Sequence, residues 1–368
     1  MEKFLSGKKI VVAPLNWGLG HATRSIPVVE RLIHYGADVH LAGDGDSLKF
    51  ISEEFPRLKT HSLPSYNIEY PSGWGGAWKT VMKAPSIIRA IKKEQKAIQK
   101  IIIENNIDAI ISDNRYGVYS DKIPSIFLGH QIRVLPPKLL RWGSGIILFW
   151  HKTYLKNFRE IWVPDYEKEH NLSGILSHDL NLKTPIKYIG PLSRFSSYHF
   201  SNKEKGNKIV AVLSGPEPQR SYFEEIIAEQ LKEINLPSIL IRGVVENAPN
   251  QQIGHLTIIN YLHTEDLLKE ISNAKIVICR PGYSTIMDLS LFGKKMILIP
   301  TPGQTEQEYL SENLSQQGKA IVQKQKAINI KEAILQLESV EALSVSKWNY
   351  DLLDKEIRRF GQMMTNLN

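Results

Sequence analysis

The sequence predicts an α/β protein of two doubly wound domains, and three observations carry that expectation. At 368 residues the chain exceeds what one hydrophobic core usually organises. Short apolar runs rich in β-branched residues alternate with segments of helical periodicity. That alternation occurs in two series, separated by the polar, aperiodic stretch Ser196–Asn207.

In the first series Lys9–Pro14 (KIVVAP) has the composition of a buried parallel strand. After the loop Leu15–His21, apolar Ile26, Val29, Leu32 and Ile33 recur at helical spacing through Ala22–Tyr35, and Gly36 ends the helix. Asp38–Ala42 is the next strand. A basic amphipathic helix at Pro85–Glu104 carries Ile87, Ile91, Ile98 and Ile102 on one face. Strands follow at Ala109–Ser112, Ser125–Leu128 and Glu160–Val163. Ile189-Gly190-Pro191 closes this series, giving a domain over 1–195 and a linker over 196–207. The second domain, 208–345, has strands at Ile209–Leu213, Ser238–Ile241, Leu256–Ile259, Lys275–Cys279 and Met296–Ile299. Right-handed crossovers put the loops after strand C-termini on one edge of each sheet, where ligands bind, so two such series imply two sheets facing a central cleft.

With 42% hydrophobic and 23% charged residues, the composition is that of a folded protein and excludes a disordered or fibrous chain. One cysteine excludes a disulfide framework and any cysteine-clustered metal site. Cys279, in the apolar run Ile276–Cys279, reads as a small buried hydrophobe. No stretch approaches the roughly 20 apolar residues of a membrane-spanning helix. No signal peptide precedes the first strand, so the cytoplasm is the expected compartment. The net charge of +8 is unevenly placed. Residues 1–200 hold 27 Lys+Arg against 18 Asp+Glu, whereas 201–368 hold 19 against 20. Lys122–Arg159 contains seven basic residues and no acidic one. The first half therefore offers either a basic surface to an anionic partner or a solvated face.

Three loops at strand ends combine glycine with hydroxyl or basic residues. The first, Asn16-Trp17-Gly18-Leu19-Gly20-His21-Ala22-Thr23-Arg24, opens a helix, where glycines admit a ligand to the backbone and the helix N-terminus favours negative charge. Thr23 stands where the dinucleotide fingerprint needs its third glycine, which disfavours an oxidoreductase. The second is Ser214-Gly215-Pro216-Glu217-Pro218-Gln219-Arg220-Ser221, and the third Arg280-Pro281-Gly282-Tyr283-Ser284-Thr285. None is a Walker A loop, which disfavours ATP hydrolysis. One such loop alone is ordinary turn chemistry; three together point to a divided site for a phosphate-bearing ligand.

The stretch from Ile276 to Gln307 is the most specific: strand, glycine–hydroxyl loop, a helix carrying Asp288, Gly293, strand, proline, and a loop ending in Glu306-Gln307-Glu308. It resembles the nucleotide-sugar segment of GT-B glycosyltransferases. The likeness is nearest to the lipid I N-acetylglucosaminyltransferases of peptidoglycan synthesis (glycosyltransferase family 28) and extends to UDP-glycosyltransferases. The Gly-Leu-Gly-His loop is similar to the first glycine loop of that family. The resemblance implies two Rossmann-like domains and a last helix, around Lys347–Gln362 within 346–368, that crosses back to the first. It implies a UDP-sugar donor, with UDP-N-acetylglucosamine the best match, and an inverting, metal-independent transfer that needs no cofactor. In donor binding, Asp288 would accept bonds from the ribose hydroxyls, or else stand as a helix-surface acid. Gly282, Tyr283, Ser284 and Thr285 would cradle the diphosphate through backbone N–H groups. Gln307 and Glu308 would contact the sugar. Glu308 and Ser311 depart from the glutamine and asparagine usual in the family, which leaves the sugar open. Leu262, before a helix capped by Thr264, would present its backbone to the uracil, with Arg242-Gly243 flanking the base. Gly20, Ser214, Gly215 and Arg280 complete the donor set.

His21 is the leading catalytic candidate, because a helix N-terminus disfavours the imidazolium and so suits a neutral general base. In plant UDP-glycosyltransferases this histidine works with an aspartate at a later strand end, and Asp113, ending Ile110-Ile111-Ser112, stands where that partner belongs. Asp113 acting alone, or capping a turn, remains open. Asn16, Trp17, Arg24, His130 and Gln131 are the acceptor-binding candidates. Asp44-Gly45-Asp46 spells a metal-holding pattern of another glycosyltransferase fold, but no histidine or further carboxylate accompanies it, and it reads as a turn. Arg133–Arg159 interleaves six basic residues with Trp142, Phe149, Trp150, Tyr154 and Phe158, as at an interface with anionic headgroups. A core helix with a solvated face is the plainer reading. The resemblance implies a lipid-linked acceptor, and with it the expectation that this segment makes a peripheral membrane contact. No nucleic-acid recognition motif appears. An epimerase acting on the same nucleotide sugar and a non-catalytic nucleotide-sugar binder are the rival expectations.

Overall fold

The structure, a computed structural model, describes residues 3–66, 84–136, 144–198, 206–215, 217–244, 249–344 and 349–365. Lys138, Arg141, Trp142 and Gly143 of the basic aromatic segment, most of the expected linker, Pro216 and Lys347 lie outside the described residues. The chain divides into two compact units: residues 1–194 with 349–368, and residues 195–348.

The first unit runs β1 (Lys9–Pro14), α1 (Gly20–His34), β2 (Asp38–Gly43), α2 (Gly45–Glu54), β3 (Lys59–Ser62), α3 (Ala84–Asn105), β4 (Ala109–Asp113), β5 (Ser125–Leu128), α4 (Ser144–Leu155), β6 (Glu160–Val163) and β7 (Ile186–Tyr188). Its seven strands pair in the order β3-β2-β1-β4-β5-β6-β7, all in parallel. Residues Ile10 to Ala13 are wholly buried, as in a strand covered on both faces. Val11, Ala13 and Ile110 pack with Ile98, Ile101 and Ile107, so the apolar stripe read in Pro85–Glu104 covers the sheet. Phe127 and Ile161 pack with Leu155 and Phe158 in a second cluster.

The second unit runs β8 (Lys208–Val212), α5 (Gln219–Lys232), β9 (Ser238–Ile241), β10 (Gln251–Ile253), β11 (Leu256–Ile259), α6 (Thr264–Ser272), β12 (Ala274–Cys279), α7 (Tyr283–Phe292), β13 (Lys295–Leu298), α8 (Thr305–Gln316), β14 (Ile321–Val322) and α9 (Ile330–Gln336). Its order is β10-β11-β9-β8-β12-β13-β14, parallel except for the β10–β11 pair. His263, not Thr264, occupies the cap position of α6. The final helix, α10 (Asp351–Thr365), belongs to the first unit. There Phe360 meets Trp162 edge-on, with centroids 5.6 Å apart, and Asp354 takes two 2.7 Å bonds from Arg31 of α1.

In each sheet the crossovers diverge at one strand pair, β1/β4 in the first and β8/β12 in the second. Ligands bind beyond the C-terminal ends of strands at such switch points. Among the described residues, no helix is long and apolar enough to cross a membrane.

Candidate active site

Strand register brings the first glycine loop to Asp113. Pro14, the last residue of β1, pairs with Asp113, the last of β4, and the Leu15 N–H donates to the Asp113 carbonyl at 3.0 Å. The chain turns through Gly18, whose φ of 72° suits glycine, and enters α1 at Gly20. His21 therefore lies in the first turn of α1, with Arg24 and Ser25 one turn further on the same face.

All three reach the Asp113 carboxylate. His21 Nδ1 lies 2.8 Å from Oδ1, Arg24 donates from Nε to Oδ2 at 2.7 Å and from Nη2 to Oδ1, and Ser25 Oγ reaches Oδ2 at 3.2 Å. Arg24 Nη1 also meets His130 Nδ1 at 2.7 Å, two residues beyond the end of β5. Asp113 is fully buried, and His21 keeps 12% of its side chain open. Burial would raise the Asp113 carboxyl, but Arg24 and then His21 hold it down at about 2. Burial, and next the Arg24 charge, push His21 below its ordinary 6.5, against the opposing pull of Asp113. At neutral pH the cluster thus holds an anion, a guanidinium and a neutral imidazole. With Nδ1–H donated to Asp113, His21 carries a lone pair on Nε2, the arrangement of a general base.

Three of the acceptor expectations need correction. Arg24 is 2% exposed and its fork is committed to the Asp113 carboxylate and to His130, so it is not presented to an acceptor. His130 is buried with it. Asn16 ties its own loop to α2, donating to Asp44 Oδ2 at 3.2 Å and accepting the Ser47 N–H at 3.3 Å. Trp17 and Gln131 are half-buried.

The Asp44-Gly45-Asp46 pattern has a structural occupant. Buried Arg115 donates to Asp44 Oδ1 at 2.7 Å and to Glu94 Oε1 at 2.5 Å, and its second Nη reaches the Pro64 carbonyl. Glu94 also accepts from the Gly117 N–H and from Tyr66. The sequence reading missed this Arg115–Glu94–Asp44 network, and the residue spacing gives no signal of it. Among the described residues, no cluster of three or more His, Cys, Asp or Glu side chains could hold a metal.

In the second unit the glycine loops flank β8 and β12. Ser214 and Gly215 are exposed, with Gly215 at φ 112°, beyond the end of β8. Gly282 caps α7 in extended geometry, so Tyr283, Ser284 and Thr285 form its opening turn, before the bond from Ile286 N–H to Gly282 O at 3.0 Å. Helix N-termini of this kind favour phosphate. Asp288 is 8% exposed, which overturns the alternative of a helix-surface acid. Arg242 is steered by Glu224 (2.6 Å) and Asn260 (2.8 Å) at the end of β9. Leu262 is half-buried ahead of α6. Gln307 and Glu308 brace their own turn, accepting the Thr301 and Gly303 N–H groups at 2.8 and 3.0 Å.

Arg280 requires a correction. It is 1% exposed, lies 3.9 Å above the Phe223 ring and donates to Ile299 O, Gln219 O and Gln325. It joins α5 to the strand ends and does not present its fork to solvent. Burial lowers its pKa to about 9, and among the described residues it has no carboxylate partner.

Residues 220–345 match the model described as the glycosyltransferase family 28 C-terminal domain. An uncharacterized glycosyltransferase of Methanosarcina acetivorans is 23% identical over 323 residues, covering 82% of this chain and 81% of its own. The UDP-N-acetylglucosamine–N-acetylmuramyl-(pentapeptide) pyrophosphoryl-undecaprenol N-acetylglucosamine transferase of Lawsonia intracellularis is 23% identical over 330 residues, covering 82% and 80%. The crystal structure of the glycotransferase of kitacinnamycin superposes with a TM-score of 0.63 at 14% identity, covering 98% and 97%.

Proposed function

Proceeding from a glycosyltransferase with the GT-B fold, we propose that the chain moves N-acetylglucosamine from UDP-N-acetylglucosamine to a hydroxyl of an anionic, lipid-linked acceptor, with inversion and without a metal. The observation that carries this reading is the buried His21–Asp113 pair, 2.8 Å apart at the β1/β4 switch point. His21 Nε2 takes the acceptor hydroxyl proton as that oxygen attacks the anomeric carbon. The bond from the anomeric carbon to the diphosphate oxygen breaks, its electron pair leaves with UDP, and the single displacement inverts the centre. Asp113, ionised at every working pH, stabilises the imidazolium that forms.

The second unit binds the donor. Asp288 takes the ribose hydroxyls, the turn at Gly282–Thr285 and the loop at Ser214–Gly215 take the diphosphate, Leu262 and Arg242 border the base, and Gln307 with Glu308 meet the sugar. The first unit takes the acceptor, beside Trp17 and Gln131. The Lawsonia enzyme's name supports both the donor and a pyrophosphoryl-lipid acceptor. The excess positive charge of residues 1–200 suits that acceptor and the cytoplasmic membrane face carrying it, and Phe149, 72% exposed on α4, is an apolar side chain suited to that contact.

Calorimetry against UDP-, GDP- and TDP-sugars tests the donor, and turnover of His21→Ala tests the base. The reading expects UDP-N-acetylglucosamine to bind best, with binding kept and turnover lost in the variant. Preferred binding of a GDP- or TDP-sugar would refute the donor assignment.

A further inference from the structure

Asp113, His21 and His130 all meet on one guanidinium. Arg24 donates to both carboxylate oxygens of Asp113, its Nη2 lies 2.9 Å from His21 Nδ1, and its Nη1 lies 2.7 Å from His130 Nδ1. We propose that Arg24 is a positioning residue for two histidines in opposite tautomers: it fixes His130 directly, with the proton on Nε2, and it holds the Asp113 carboxylate that sets the His21 proton on Nδ1.

The argument rests on donor inventory. A guanidinium has five N–H donors and no lone pair, and it stays protonated. His130 Nδ1, 2.7 Å from it, is therefore the acceptor, so that nitrogen is bare and the ring proton sits on Nε2. His21 Nδ1 faces two groups. A bare Nδ1 would set its lone pair against an ionised carboxylate oxygen at 2.8 Å, whereas a protonated one donates to it. Charge decides for Nδ1–H, and the lone pair moves to Nε2. His21 thus carries its lone pair, and His130 its proton, on Nε2. The groups facing His21 are Arg24 on its own helix, Asp113 from β4 and His130 from the loop after β5. The same cation 2.9 Å away opposes protonation of His21. Arg24 thus keeps the base ready, while Asp113 accepts the cost when the proton arrives. The catalytic consequence rests on the proposed role of His21 as base; the tautomers do not.

Long-range ¹H–¹⁵N spectra of the full chain at pH 7.5 read the tautomers without substrate, with His21→Gln and His130→Gln assigning the signals among eleven histidines. The expected pattern is Nδ1–H for His21 and Nε2–H for His130. A His130 carrying Nδ1–H, or doubly protonated, would overturn the proposal. Arg24→Met should move the acid limb of kcat/KM to higher pH, as expected when a neighbouring like charge is removed. Arg24→Lys, which keeps the charge, should lower kcat and leave the limb in place. Loss of kcat in both variants with no movement of the limb would show a merely structural arginine and overturn the positioning role. Turnover kept in His21→Gln would refute the base reading alone, because the spectra judge the tautomers independently.

Discussion

Replacing Asp113 by asparagine keeps shape and removes one charge from a closed site. The carboxyl is fully buried and held at about 2, against an ordinary 3.8. That difference corresponds to roughly 2 to 3 kcal/mol of net stability, what the attraction of Arg24 first of all leaves after the cost of burial. The substitution also leaves the Arg24 guanidinium, 2% exposed, without its counter-charge. Stranding one member of a buried ion pair costs about 3–5 kcal/mol, and the two figures overlap instead of adding. The expected loss in Asp113→Asn is therefore ~3–5 kcal/mol. Urea unfolding followed by tryptophan fluorescence measures it, since six of the seven tryptophans fall in residues 1–194, in the unit that holds Asp113. The sign with pH is fixed: a carboxyl depressed in the folded state contributes its full stability above about 4 and loses it as pH falls towards about 2. Asp113→Asn should abolish that acid dependence. A loss below about 1 kcal/mol, or an acid profile unchanged by the substitution, would refute the charge-paired reading of the site.

Four further outcomes are expected. His21→Gln should lower kcat by roughly 10²- to 10⁴-fold and leave UDP affinity intact, measured by steady-state kinetics and calorimetry; unchanged kcat would remove His21 from the chemistry. Because burial and Arg24 lower the His21 pKa, the acid limb of kcat/KM in the unsubstituted chain should lie below 6.5, with activity falling only as pH drops through that lower value. Asp288→Ala, which removes a charged hydrogen-bonding group, should weaken UDP-sugar binding by about 1.5–3 kcal/mol with little effect on kcat at saturation, whereas unaltered affinity would exclude the ribose contact. Chelator should leave the rate unchanged, since Asp44 is already engaged by Arg115 and Asn16, and a rate abolished by chelator and restored by a divalent cation would contradict the metal-free mechanism.

The strands that fill the middle of both sheets were legible because burial on both faces forces continuous apolar runs such as KIVVAP and IVIC. The strands that escaped notice lie at or near sheet edges. β3 reads KTHS and β10 reads QQI, segments whose exposure removes the pattern that would announce them. The His21–Asp113 pair was legible as a loop-helix residue after one strand and the end of another, which one sheet edge would gather. The role of Arg24 was not, because a basic residue in a glycine loop looks the same whether it meets a ligand or a carboxylate. Only the pairing of Pro14 with Asp113 turns that helix face towards the carboxylate. Arg280 and Arg115 show the same limit: sequence marks where a cation is, and only packing shows which groups engage it.

The central claim is acceptor-dependent sugar transfer by a histidine base. It is tested most directly by incubating the chain with UDP-N-acetylglucosamine labelled in the sugar, with and without a polyprenyl-diphosphate-linked glycan acceptor, and determining the products by mass spectrometry and NMR. The account predicts label in the lipid fraction only when acceptor is present, attached with inverted anomeric configuration. Conversion of the labelled donor to its 2-epimer without acceptor would contradict it.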